Sequence, residues 1–137
     1  MTFADITIVP VPSDRKAVYL AFSRRMADIY REYGATSIVD YWQTGDPVSQ
    51  DDFHADGLSY GPGELRGLAS VAGASALESA VVTITEWPSK AVRDRGTAAV
   101  TGDPRVLATL DEDPVFDGRR LVAGSFEVAM SLPDDAC

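Results

Sequence analysis

The order of short β-branched runs and amphipathic stretches along this chain predicts an α+β domain of the ferredoxin-like βαββαβ type. Three observations carry that expectation. Four runs rich in Val, Ile, Thr and aromatic residues read as strands, two stretches with apolar side chains at helical spacing each follow a strand, and Gly, Pro, Asp and Ser collect at the joins.

The first strand is Ile6–Val11, with Pro10 and Pro12 bracketing its end because proline cannot donate to a ladder. Ser13 offers an oxygen to cap the first helix, Asp14 suits the positive end of its dipole, and Val18, Phe22, Met26, Ile29 and Tyr33 recur at helical spacing. Gly34 ends that helix, since glycine enters the left-handed conformation without a Cβ penalty. A second strand follows over Ser37–Gln43, where Ile38, Val39, Tyr41 and Trp42 suit a half-buried pleated surface. From Thr44 to Ser75 no period of 2 or 3.6 persists, so 44–75 reads as a long loop or insertion, with a short strand in Gly67–Ala72 as one way of ordering it. Val81–Trp87 is the third strand. Pro88 stops it, and Ser89 caps a second helix from Lys90 to about Val100, which Gly96 weakens. Gly102-Asp103-Pro104-Arg105 makes a break, Val106–Leu110 a further helical turn, and Leu121–Leu132 the last strand, in which Gly124 leaves room for a close approach to the backbone.

Alternation within these strands groups Thr7, Val9, Val39, Tyr41, Val81, Thr83, Val122 and Phe126 on one sheet face, and both faces contain apolar side chains. Two helices cover one face only. The other needs a second layer, which a symmetric second copy of the chain supplies, so a homodimer is expected.

Composition narrows the function classes. A chain of 137 residues that is 45% hydrophobic reads as one domain, 1–137, with a real core. Twenty-one acidic residues against 12 basic ones leave a net charge of −9, which opposes nucleic-acid binding over most of the surface. Met1-Thr2-Phe3-Ala4-Asp5 lacks the basic start and apolar run of a signal peptide, and no stretch approaches the roughly 18 apolar residues of a membrane span, so no membrane partner and a cytoplasmic location are expected. The one cysteine, Cys137, has no intrachain partner.

The candidate chemistry lies in the strands. Asp40 and Glu86 are acids inside otherwise apolar runs, where burial raises a carboxyl towards general-base use; the alternative is a solvent-facing or dimer-edge carboxylate paired with arginine. Tyr41, Trp42 and Trp87 are candidate aromatic walls of a ligand pocket or, on the plainer reading, core and interface. Arg93, at the start of the second helix, either holds a carboxylate ligand or closes a salt-bridged helix end. Asp117 fixes the turn before the last strand. His54 stands in Asp51-Asp52-Phe53-His54-Ala55-Asp56, without the cysteine or second histidine that a structural zinc site needs, so no metal is expected there. Phosphate-loop and dinucleotide fingerprints are absent from the sequence, and a Ser-His-Asp triad would need an arbitrary serine.

The chain resembles the DUF1428 family of small bacterial proteins, which are similar to dimeric α+β barrel proteins. The resemblance rests on Pro10-Val11-Pro12, Glu32-Tyr33-Gly34-Ala35, the Ser89–Arg95 helix start, Asp103-Pro104-Arg105, and Phe116-Asp117-Gly118-Arg119-Arg120 with Gly124 and Phe126-Glu127-Val128. It departs from the family's pattern at Ile38-Val39-Asp40-Tyr41, where an arginine and a cysteine are replaced, at Ile84, where an aromatic is usual, and at Val115, which stands in place of a proline. The resemblance implies a cleft between sheet and helices that takes an aromatic or anionic small molecule without a cofactor, and a cofactor-independent oxygenase or isomerase-like activity. The alternative is a noncatalytic interaction or regulatory module that uses the acidic surface and the 44–75 loop.

Overall fold

The computed structural model describes residues 1–45 and 65–133. Strands β1 (Phe3–Pro12), β2 (Ser37–Trp42), β3 (Glu78–Trp87) and β4 (Val122–Glu127) form one antiparallel sheet in the order β2-β3-β1-β4. Helix α1 (Lys16–Glu32) joins β1 to β2, and α3 (Lys90–Gly102) with the short α4 (Pro104–Ala108) joins β3 to β4. This is the ferredoxin-like topology expected of the sequence, with the two connecting helices on one face.

The strands differ in extent from the sequence reading. β1 starts at Phe3, because the long β3 offers partners from Trp87, opposite Phe3, back to Glu78, opposite Pro12. β4 pairs with β1 only as far as Ile8, so Pro10 and Pro12 lie where one side of β1 has no neighbour, a position that tolerates a missing backbone donor. β4 ends at Glu127, short of Leu132, and Gly67–Ala72 holds a helical turn, α2 (Leu68–Val71), where a short strand is one of the readings of the long loop. Ser13 is not a helix cap. A 3₁₀ turn precedes α1, and the Ser13 hydroxyl pairs instead with that of Ser79 at 2.8 Å.

The inward stripe of α1 follows the sequence reading at Phe22, Met26 and Ile29, but at its start Tyr19 is buried in place of Val18, which points out, 46% exposed. Gly34 ends α1 at φ +113°, a conformation strained for any residue with a Cβ. Ser89 caps α3 by accepting from the Val92 amide at 3.2 Å, as its sequence predicts. Gly96 proves to be a packing requirement. The indole of the fully buried Trp87 lies against its Cα, and a Cβ there would fall 2.5 Å from the ring. The core is completed by Val9, Val11, Tyr19 and Val81, with Trp42, Val115 and Phe116 packed around them.

Register settles the faces and corrects the sequence grouping. Asp40 pairs with Thr83, Thr83 with Thr7, and Thr7 with Ala123, so these four form one row across the sheet. Asp40 accepts from Ser23 of α1, which places this row on the helix-covered face. Val39, Tyr41, Val122 and Phe126 therefore belong to the opposite face, where they are 40%, 54%, 46% and 51% exposed. No helix packs over that apolar surface among the described residues.

Candidate functional site

Between the sheet and helices α1 and α3 lies a cavity of about 470 Å³. Its floor is two rows of the sheet: Thr83, Thr7 and Ala123 in one, and Ile38, Thr85, Asp5 and Ser125 in the next. Its roof is made by α1 through Phe22, Ser23, Met26 and Tyr30, and by α3 through Arg93 and Thr97; Phe116 closes one end. A roof that mixes aromatic rings with Ser23, Arg93 and Thr97, over a hydroxyl-bearing floor, suits a planar molecule with polar groups at its edge.

Two polar clusters organise the cavity. In the first, Ser23 Oγ donates to Asp40 Oδ2, and Thr83 Oγ1 donates to Asp40 Oδ1 at 2.5 Å. Tyr19 is close enough to respond: burial first, then the negative charge of Asp40, pushes its phenol pKa up, so it stays a neutral hydroxyl. In the second, Asp5 accepts from Ser125 Oγ at 2.6 Å, from Arg93 Nε at 3.0 Å and from Trp87 Nε1 at 3.2 Å. The Arg93–Asp5 pair ties α3 to β1, with side chains 30% and 19% exposed, and Arg93 also bonds Asp94 at 3.1 Å. Tyr30 is pushed up by burial and then by Asp5, with Arg93 opposing.

The sequence-nominated residues divide between places. Asp40 stands behind two cavity hydroxyls, and Arg93 lines the cavity at its far end. Trp42 is on the helix-covered face at the core margin, with Tyr19 at 6.0 Å between ring centroids and Lys16 Nζ over its ring at 5.4 Å. Trp87 is fully buried and reaches the site through its N–H bond to Asp5. Tyr41 lies on the exposed face, and so does Glu86, which pairs with Ala4 and Ser37. The fold thus separates Asp40 from Glu86 by the thickness of the sheet. Asp5, Ser23, Thr83 and Ser125 were not foreseen, although an acid beside a β-branched run was a visible signal at Asp5. Asp117 caps the turn before β4, accepting from the Arg119 amide at 3.0 Å. His54 and Cys137 lie outside the described residues, as does 46–64 of the long loop. Among the described residues no group of three or more His, Cys, Asp or Glu is placed to hold a metal ion, and no helix is long and apolar enough to cross a membrane.

Two solved structures share this architecture. A mutant of SnoaB, described as a cofactor-independent oxygenase from Streptomyces nogalater, superposes with a TM-score of 0.52 at 14% identity over 97% of this chain and 98% of its own. Rv0793 from Mycobacterium tuberculosis superposes with a TM-score of 0.51 at 15% identity over the whole of both chains. At those identities the likeness establishes the fold alone, the ferredoxin-like α+β domain described above. Sequence relatives are nearer. The uncharacterised protein YbaA of Escherichia coli K12 is 30% identical over 127 residues, 93% of this chain and 96% of YbaA, and YbaA of Shigella flexneri matches to the same extent. The family model for proteins of unknown function DUF1428 matches residues 2–118, and the chain belongs to that family.

Proposed function

We propose that this protein is a homodimeric small-molecule-binding protein whose ligand occupies the cavity between the sheet and helices α1 and α3. The observation that carries the reading is the cavity itself: about 470 Å³ lined by aromatic rings together with hydroxyls, Asp5 and Arg93, in a region where a packed core would place apolar side chains on both sides. The exposed apolar face of the sheet supports the dimer, since it is the surface that a second layer would cover.

The chemistry this cavity best supports is removal of a proton from a bound substrate. A substrate hydroxyl seated on Thr83 passes its proton to Oγ1 as the Thr83 proton moves to Asp40, leaving an ionised substrate and a neutral carboxyl. An isomerase returns that proton at another atom; an oxygenase of the kind named for SnoaB lets the ionised substrate reduce dioxygen. Asp40 is the group on which this activity rests, and Glu86, on the opposite face, takes no part.

Ala27 lines the cavity from α1, and Ala27→Trp fills it. A thermal-shift and fluorescence screen of hydroxylated bicyclic aromatics should find compounds that bind the wild type and not Ala27→Trp, with both proteins folded by circular dichroism. Binding that persists in Ala27→Trp would place the ligand elsewhere.

A further inference from the structure

The hydrogen-bond polarity of the cavity specifies its ligand more narrowly than its shape does. A serine or threonine hydroxyl has one proton to give and two lone pairs to receive with. Ser23 and Thr83 both line the cavity, and both commit that one proton to Asp40, one to each carboxylate oxygen. What they present to the cavity is therefore lone pairs. A ligand group placed against them has to be a donor, an O–H or N–H; an ether oxygen or a carboxylate there would set lone pair against lone pair.

The other end of the cavity reinforces this choice. Arg93 is the lining cation, and its charge is already engaged by Asp5 at 3.0 Å and by Asp94 at 3.1 Å. Asp5 is in turn saturated by donors from Ser125, Arg93 and Trp87. Counting the one positive charge on Arg93 against the carboxylates of Asp5 and Asp40, the site carries a net −1, so an anion meets an unfavourable field. Tyr19, the other titratable group beside Asp40, is neutral and adds no positive charge, and its hydroxyl beside Thr83 can fill one of that oxygen's two lone pairs, which leaves the other for a ligand donor.

We infer that the cavity selects an uncharged hydrogen-bond donor, a phenolic or enolic hydroxyl or an N–H seated on Ser23 and Thr83, and that Asp40 is the positioning residue that imposes this selection by holding both hydroxyl protons. The inference rests on the cavity being a ligand site, and it replaces the anionic ligand expected for Arg93 with a neutral one.

Three probes of one shape test it: 1-naphthol, its methyl ether 1-methoxynaphthalene, and 1-naphthoate, titrated by fluorescence at neutral pH. In the wild type the naphthol should bind about tenfold more tightly than the ether, the effect of one hydrogen bond that the ether cannot make, and naphthoate should bind weakest. In Asp40→Asn the new amide N–H occupies one hydroxyl's lone pair and frees that hydroxyl's proton towards the cavity. The preference for naphthol over its ether should then fall to within about twofold. Thr83→Val, which removes one hydroxyl and keeps the side-chain shape, should reduce the same ratio. A merely structural role for Asp40 would lower the melting temperature and leave the ratio unchanged, which would overturn the inference. Equal binding of all three probes by the wild type would also overturn it while leaving the cavity a ligand site. Failure of every probe to bind would remove both readings.

Discussion

Exchanging a helical glycine for alanine normally stabilises a protein by about 1 kcal/mol, through lost backbone entropy in the unfolded chain and better helix propensity. Gly96 of α3 should behave in the opposite sense. A Cβ at this position would lie 2.5 Å from Cζ3 and 2.9 Å from Cη2 of Trp87, and 2.7 Å from the carbonyl oxygen of Tyr33. Carbon atoms pack best at about 3.5–4 Å, so the shortfall against the ring is about 1 Å. The indole has no room to give: it is 0% exposed, its N–H is bonded to Asp5, and Tyr30 stands edge-on to it at 6.1 Å between centroids. The Tyr33 oxygen is backbone at the end of α1 and cannot rotate away. Relief requires α3 to lift from the sheet, at the upper end of the about 1–3 kcal/mol range for overpacking. Set against the propensity gain, the net loss is about 2 kcal/mol, or about 6 °C in Tm for a chain of this size. Urea and thermal unfolding of Gly96→Ala measure it directly, with Gly102→Ala as control, because nothing lies within 4 Å of that Cβ and its Tm should hold or rise. A Gly96→Ala protein that melts at or above the wild type would refute the argument.

Gly124→Ala should cost less than Gly96→Ala by the same assay, since its new Cβ meets only the Phe126 ring tip at 3.0 Å, the far end of a side chain and not backbone; a loss as large as that of Gly96→Ala would contradict this. Glu78 is held down to about 2, chiefly by the Arg120 guanidinium at 2.6 Å, from an ordinary value of 4.5. A depressed folded value contributes stability that is fully present above pH 4.5 and lost as pH falls towards 2, so the Tm gap between wild type and Glu78→Gln should narrow across that window; a constant gap would show that the ion pair is not its source. Phe126→Asp puts a charge into the exposed apolar face and should leave the protein monomeric by light scattering at micromolar concentration where the wild type, on the proposed reading, is a dimer; a wild type that is itself monomeric would remove the case for a dimer.

Element types were legible because each strand and helix carries its own period: the β-branched runs of β1 and β3, the apolar stripe of α1, and the Ser89 cap of α3. Relative phase was not. β2 is apolar on both sides, so nothing inside Ile38-Val39-Asp40-Tyr41 says which residues share a face with Thr7; only the pairing of Asp40 with Thr83 and of Thr83 with Thr7 does. Asp5 was missed for a related reason. Phe3-Ala4-Asp5 has no β-branched residue and reads as a tail, yet β3 is long enough to pair with it and carries it into the cavity. Ser23 and Thr83 gave no signal at all, because an isolated hydroxyl on a helix or strand looks the same whether it faces solvent or a half-buried carboxylate.

Because successive strand residues face opposite ways, the same four strands encode two surfaces that separate experimentally. The helix-covered face carries Asp5, Thr7, Thr83 and Ser125, all from one copy of the chain, so the proposed site is expected to form within one copy. The exposed face carries Val39, Tyr41, Val122 and Phe126. Phe126→Asp should therefore abolish dimerisation and keep the preference for naphthol over its ether, while Asp40→Asn should lose that preference and keep the dimer. Measuring both variants in both assays gives four results, and the crossed pattern is the one expected. Loss of probe binding together with the dimer in Phe126→Asp would mean that the cavity depends on the second copy to hold β4, the edge strand that supplies Ser125, in place.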